Sequence, residues 1–145
     1  MFKNLSVNKY KQKREKEMVK KRIVVVDDDD SIRKTFFMIL HENYHVYLAK
    51  NSFEALQRFK NTKIDLIISD LKLPGIDGIE MISHFRKAGY PGEVIMISAY
   101  PDMVTSEELK RLSIARFFIK PLDLNALTQS IDYLLHSKNE NSERI

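Results

Sequence analysis

Four apolar runs of this chain end in residues that can do chemistry. Asp27 and Asp28 follow Ile23–Val26, Asp70 follows a run ending at Ser69, Ser98 closes a run beginning at Glu93, and Lys120 follows Arg116–Ile119. If the runs are strands of an open parallel sheet, their carboxyl ends share the edge where such sheets bind ligands. The five side chains would then converge despite their separation in sequence. Two carboxylates about 4 Å apart repel by roughly 4 kcal/mol at an effective dielectric of about 20. Three cannot all stay ionised without cations. Lys120 supplies one positive charge, and a hard divalent ion such as Mg²⁺, which prefers carboxylate and water oxygens, would supply more. A nucleophilic aspartate, an oxygen-bound metal, a lysine and a hydroxyl are the parts that phosphoryl transfer requires.

Positioning these residues needs the strands. Five runs are largely apolar and rich in β-branched residues: Ile23–Val26, His45–Ala49, Ile64–Ser69, Glu93–Ser98 and Arg116–Ile119. Continuous hydrophobicity predicts strands covered on both faces, as in a parallel sheet. Helical stripes lie between them: Ile32, Phe36, Ile39 and Leu40; Ala55, Leu56 and Phe59; Ile79, Ile82 and Phe85. Leu124, Leu127, Ile131, Leu134 and Leu135 form the last and strongest. The segment 102–112 is the weakest helix, with only Met103, Val104, Leu109 and Leu112 to bury. Ser52 and Asp102 sit where N-caps belong, Asp77 before Gly78 reads as a turn and cap, and Asp29 and Asp30 suit a helix N-terminus. Gly89, Pro91 and Gly92 mark a helix-to-strand turn. Strand and helix alternate five times, and right-handed crossovers then give a doubly wound five-stranded α/β sheet.

The strings IVVVDDDDSIR, DLIISDLKLPGIDG, VIMISAY and FFIKP resemble the four signature blocks of bacterial response-regulator receivers, in the right order. The resemblance covers about residues 21–136 and implies the flavodoxin-like or CheY-like strand order 2-1-3-4-5. It implies Asp70 as phosphoacceptor and Asp27 and Asp28 as the acidic pair. Asp28 would be the direct Mg²⁺ ligand, Asp27 would act through water, and the backbone carbonyl of Lys72 would complete the site. Lys120 would pair with the phosphoryl group, and the Lys120–Pro121 bond would be cis. Ser98 would move to a phosphoryl oxygen with Phe117 as the coupled aromatic switch. The phosphate would come from a phosphohistidine on a sensor histidine kinase or phosphotransfer protein, and phosphorylation would switch binding of a downstream protein.

The chain departs from the family pattern in three places. Ser113-Ile114 replaces the usual Gly-Ala before the last strand. Lys72 and Tyr100 occupy two positions that tune dephosphorylation in the family, where a cation and a bulky aromatic would exclude the attacking water. Residues 1–21 have no counterpart in the minimal receiver. Two rival readings compete. IVVVDDDDS also resembles the first motif of haloacid-dehalogenase-like phosphatases, with Asp27 as nucleophile and Asp29 as general acid, and Ser98 and Lys120 could serve as that family's second and third motifs. That reading lacks a further acidic pair after the lysine and leaves Asp70, Pro74 and Gly78 idle. The second rival is a constitutive interaction module with its switch unused, which the complete acidic set argues against.

Composition bounds the rest. At 145 residues and 43% hydrophobic, the chain suits one globular domain. No run approaches the roughly 18 apolar residues of a membrane span, and no secretory signal is evident. Cysteine is absent, so a cytoplasmic setting is expected, and His41, His45, His84 and His136 show no ligand spacing. The net charge of +4 hides an asymmetry. Residues 1–22 hold nine basic side chains against Glu15 and Glu17, leaving a mildly acidic remainder. The expected organisation is a basic extension 1–21, a receiver domain 22–136 and a short polar tail 137–145. Such an arm could touch nucleic acid or anionic lipid, but charge runs are more often solvated, and that is the expectation. Only ten residues follow the last stripe, so output by protein contact or phosphate relay is expected unless the chain is part of something longer.

Overall fold

The computed structural model describes residues 8–13 and 20–137. Its sheet comprises β1 (Arg22–Val26), β2 (His45–Ala49), β3 (Leu66–Asp70), β4 (Glu93–Ser98) and β5 (Arg116–Ile119), ordered β2-β1-β3-β4-β5 with every pairing parallel. Between and after them run α1 (Asp30–Leu40), α2 (Ser52–Phe59), α3 (Gly78–Lys87), α4 (Ser106–Arg111) and α5 (Leu124–Asp132), which ends in a wide helical turn at Tyr133–Ser137. Residues 8–13 form a short exposed helical segment.

The apolar strands divide their side chains between two cores, as period-two alternation requires. Val24, Val26, Ile67, Val94 and Met96 pack with Ala55, Phe59, Met81, Ile82 and Phe85. Ile23, Val25, Leu66, Ile68, Ile95 and Ile97 pack with Phe36, Leu40, Leu127, Ile131, Leu134 and Leu135 on the other face. Helices α2 and α3 therefore cover one side and α1 and α5 the other. Strand β5 lies at the sheet edge, and its Arg116 and Ile119 are exposed.

Three local expectations are corrected. Asn51, not Ser52, caps α2; its side chain accepts from Glu54 N, while buried Ser52 donates its hydroxyl to Ile76 O at 2.8 Å. Asp102 caps nothing, because Pro101 begins a 3-10 turn there. Helix α4 starts later, at the Thr105–Glu108 capping box, in which each side chain bonds the other's backbone N–H. Strand β3 begins at Leu66, not Ile64, because Asp65 is held to Arg22 by both its N–H and its carboxylate, and the ladder starts one residue on, at Ile23↔Leu66. Asp29 and Asp77 do cap α1 and α3.

Ser113 takes a left-handed φ of +54°, the conformation for which glycine is the natural residue. The Arg86 guanidinium holds this turn, donating to the carbonyls of Leu112 at 2.9 Å and Ser113 at 3.1 Å. Ser113 thus holds a left-handed turn at a cost in backbone strain.

Candidate functional site

Strands β1, β3 and β5 deliver their terminal polar residues to one place because they run parallel and in register. Lys120 Nζ lies 2.9 Å from Asp70 Oδ2 and 3.3 Å from Asp27 Oδ2, so one ammonium bridges two strands. The other oxygens are held by backbone: Asp29 N donates to Asp27 Oδ1 at 2.9 Å, and Lys72 N donates to Asp70 Oδ1 at 3.3 Å. Asp28 is exposed, and nothing among the described residues engages its carboxylate. Asp27, Asp28 and Asp70 each present an oxygen within 4.8 Å of the others. Asp28 and Asp70 border a cleft of about 360 Å³ with Lys72, Leu73, Pro74, Ala99, Tyr100 and Lys120, and Asp27 is fully buried behind it.

The electrostatics follow from burial and charge count. Burial pushes the Asp27 carboxyl above its ordinary value, with Asp70 adding to the rise, while the Asp29 N–H and Lys120 oppose it. Burial alone would push the Lys120 ammonium down. Its hydrogen bond to Asp70 and the charges of Asp27 and Asp70 reverse that, and the net shift is upward. Three carboxylates against one lysine leave the cluster short of positive charge. An all-oxygen set of this kind fits a small, hard divalent cation.

The remaining predicted residues are placed less directly. Ser98 is fully buried at the end of β4, and its Oγ accepts from Tyr100 N at 2.8 Å. It does not line the cleft. Phe117 is half-buried in β5 against the α2/α3 core. The Lys72 ammonium stands 5.1 Å from the centre of the Tyr100 ring, above the same cleft. The Lys120–Pro121 bond is cis. Of the histidines, His41 contacts Phe37 and His136 stacks on Tyr44, away from the acids.

Two supporting residues were not legible as such. Arg33 NH1 donates to Asp27 O at 2.6 Å, fixing the backbone of the acidic turn from α1. Gly78 N donates to Leu71 O at 2.7 Å, and a Cβ at Gly78 would overlap Asp70 O. Arginine in the helix after an acidic run, and glycine after a capping aspartate, were the available signals. The phosphatase reading fails on Asp29. Its carboxylate accepts from Ser31 Oγ at 2.7 Å and Ser31 N at 2.9 Å. These bonds favour its ionised form and hold its carboxyl below its ordinary value, opposite to the shift a proton donor needs.

The chain is 30% identical over 98 residues to sporulation initiation phosphotransferase F of Bacillus subtilis, covering 68% of this chain and 79% of that protein. It is 31% identical over 91 residues to transcriptional regulatory protein GlrR of Escherichia coli, covering 63% of this chain but only 20% of that protein. Among solved structures, it resembles response regulator TrrA of Thermotoga maritima in complex with Mg²⁺ and BeF, at TM-score 0.71 and 31% identity, over 79% of this chain and 99% of that one. A receiver domain protein of Methanospirillum hungatei matches at TM-score 0.74 and 27% identity, over 84% and 98%. No helix of the described residues is long and apolar enough to cross a membrane. Residues 23–132 match the family model for the response regulator receiver domain. The chain therefore belongs to the response-regulator receiver family of two-component systems, whose members are phosphoacceptor switches.

Proposed function

We propose that Asp70 accepts a phosphoryl group from a phosphohistidine of a sensor histidine kinase or phosphotransfer protein, and that the product switches binding of a downstream protein. The observation that carries this is the Lys120 ammonium, 2.9 Å from Asp70 Oδ2, with the Asp28 carboxylate open beside it. In the reaction an Asp70 oxygen attacks phosphorus in line. A carboxylate O–P bond forms, the P–N bond breaks, and its electron pair stays on the imidazole. Lys120 takes up charge on a phosphoryl oxygen. Asp28, Asp70 and the Lys72 carbonyl would hold Mg²⁺, with Asp27 acting through water, and the bound ion would offset negative charge on the transferring group.

The switch follows from the resting state of Ser98. Its hydroxyl leaves Tyr100 N for a phosphoryl oxygen, and Phe117 moves with it. The domain also sets its own dephosphorylation, since Lys72 and Tyr100 roof the cleft and hinder water. We place the receiver at 22–136 between the basic extension 1–21 and the tail 137–145, acting in the cytoplasm.

Incubation with Mg²⁺ and a small acyl-phosphate donor, borohydride trapping and mass spectrometry test the reading. Label is expected on Asp70, absent from Asp70→Asn and reduced in Asp28→Asn, with no steady turnover of a phosphate ester. Label on Asp27 with multiple turnovers would sink it.

A further inference from the structure

A second cleft lies outside this chemistry, at the amino ends of the strands. The cleft, about 580 Å³, is larger than the one at Asp70. Residues at the amino ends of three strands (Lys21, Asp65 and Glu93) line it, together with Lys60, Asn61, Thr62 and Lys63. Of its two acids, Asp65 is committed to Arg22 N at 2.8 Å and Glu93 is also engaged. None of the ion pairs among the described residues uses Lys21, Lys60 or Lys63.

Charge alone favours a solvated arm; its point of attachment changes that balance. The arm joins the domain at Lys20 and Lys21, on the wall of this cleft. The chain from Lys13 to Lys20 spans at most about 25 Å, so the helical segment 8–13 stays within reach of the same edge. That segment reads NKYKQK, with every residue exposed and Tyr10 at 71%. Lys9 and Lys13, four residues apart, share one face with Lys11 opposite, and Tyr10 is the one aromatic or aliphatic side chain among these six residues, so no apolar face forms. A helix lying on a membrane needs such a face. A phosphodiester strand needs only cations and a surface for base stacking. The acidic cluster at the far edge would repel a polyanion there and orient it toward this one.

We propose that the amino edge of the sheet binds single-stranded nucleic acid. Lys21, Lys60 and Lys63 hold phosphates in the cleft, Lys9, Lys11 and Lys13 extend the contact, and Tyr10 stacks on an unpaired base.

Fluorescence anisotropy of the full chain with a labelled oligothymidylate of about 20 nucleotides tests this. Saturable micromolar binding is expected at about 50 mM salt, weakening steeply as salt rises. Lys60→Glu/Lys63→Glu should weaken it about tenfold or more and flatten the log–log salt slope by about 1.4, roughly 0.7 per lost phosphate contact. Tyr10→Ala should weaken binding to the oligonucleotide and leave binding to inorganic polyphosphate unchanged. Acyl-phosphate labelling of Asp70 should stay normal in both variants, which shows that they are folded. The proposal is overturned by absence of saturable binding, or by a salt slope indifferent to the lysine reversals. It is also overturned if Tyr10→Ala has no effect, or if phosphatidylglycerol vesicles are bound in preference to the oligonucleotide.

Discussion

The ammonium of Lys72 sits over the ring of Tyr100, 5.1 Å from its centre, and the two residues line the cleft beside Asp70. A cation–π pair at an exposed site is worth about 0.5–1 kcal/mol. If opening of this roof admits the water that hydrolyses the acyl phosphate, losing the pair speeds decay about two- to fivefold. Removing the bulk as well, in Lys72→Ala/Tyr100→Ala, is expected to speed it about tenfold. Radiolabelled phosphoprotein followed after donor removal measures this. Unchanged or slower decay would show that the pair does not exclude water.

Burial raises the Asp27 carboxyl pKa above its ordinary 3.8, so the folded protein holds that proton more tightly than the unfolded chain does. Metal-free stability contributed by this group therefore falls as pH rises from about 4 through the folded value. Lys120, raised above 10.5, contributes stability that is complete below that pH and lost above it. Asp27→Asn should raise the thermal midpoint of the metal-free protein at neutral pH, while Asp28→Ala should abolish stabilisation by added Mg²⁺. In the wild type, Mg²⁺ at ten times its dissociation constant should add about 1.4 kcal/mol. Thermal melts with and without chelator decide both points, and an Asp28→Ala protein that responds like wild type removes the metal assignment.

Gly78 lets the start of α3 approach the carbonyl of Asp70, where a Cβ would overlap that oxygen. Gly78→Ala must push α3 or the Asp70–Leu71 backbone aside, at a cost of about 1–3 kcal/mol. Urea denaturation should show that loss. Phosphorylation should fall with it, because the carboxylate moves with its backbone. Normal labelling in a destabilised variant would show that the strain is absorbed by the helix alone.

Ser113 holds φ +54° without the freedom of glycine. Ser113→Gly should therefore stabilise the fold by about 1 kcal/mol, raising the midpoint by about 4 °C. The Arg86 bonds to the turn use backbone carbonyls and should survive the change. Equal or lower stability would mean that added freedom in the unfolded chain outweighs the relief.

The parallel sheet was legible in the residues alone, because strands buried on both faces must be apolar at every position, as Val24–Val26 and Leu66–Ile68 are. Also legible was which residues share the site, since parallel strands end at one edge and Asp27, Asp28, Asp70 and Lys120 stand at or just past strand ends. Tertiary structure decided what depends on distance between separate elements. That one lysine bridges Asp27 and Asp70, that Ser98 rests on Tyr100 N outside the cleft, and that Lys72 packs on Tyr100 all depend on register and loop path. Helix starts at α2 and α4 were decided by competition among neighbouring caps, in which Asn51 and Thr105 reached the free N–H groups that Ser52 and Asp102 did not. The cleft beneath Lys21, Lys60 and Lys63 was invisible for the same reason. Hydrophobic period is a local property of the chain, whereas a cavity at the amino edge exists only once three strands and their entry loops are set side by side.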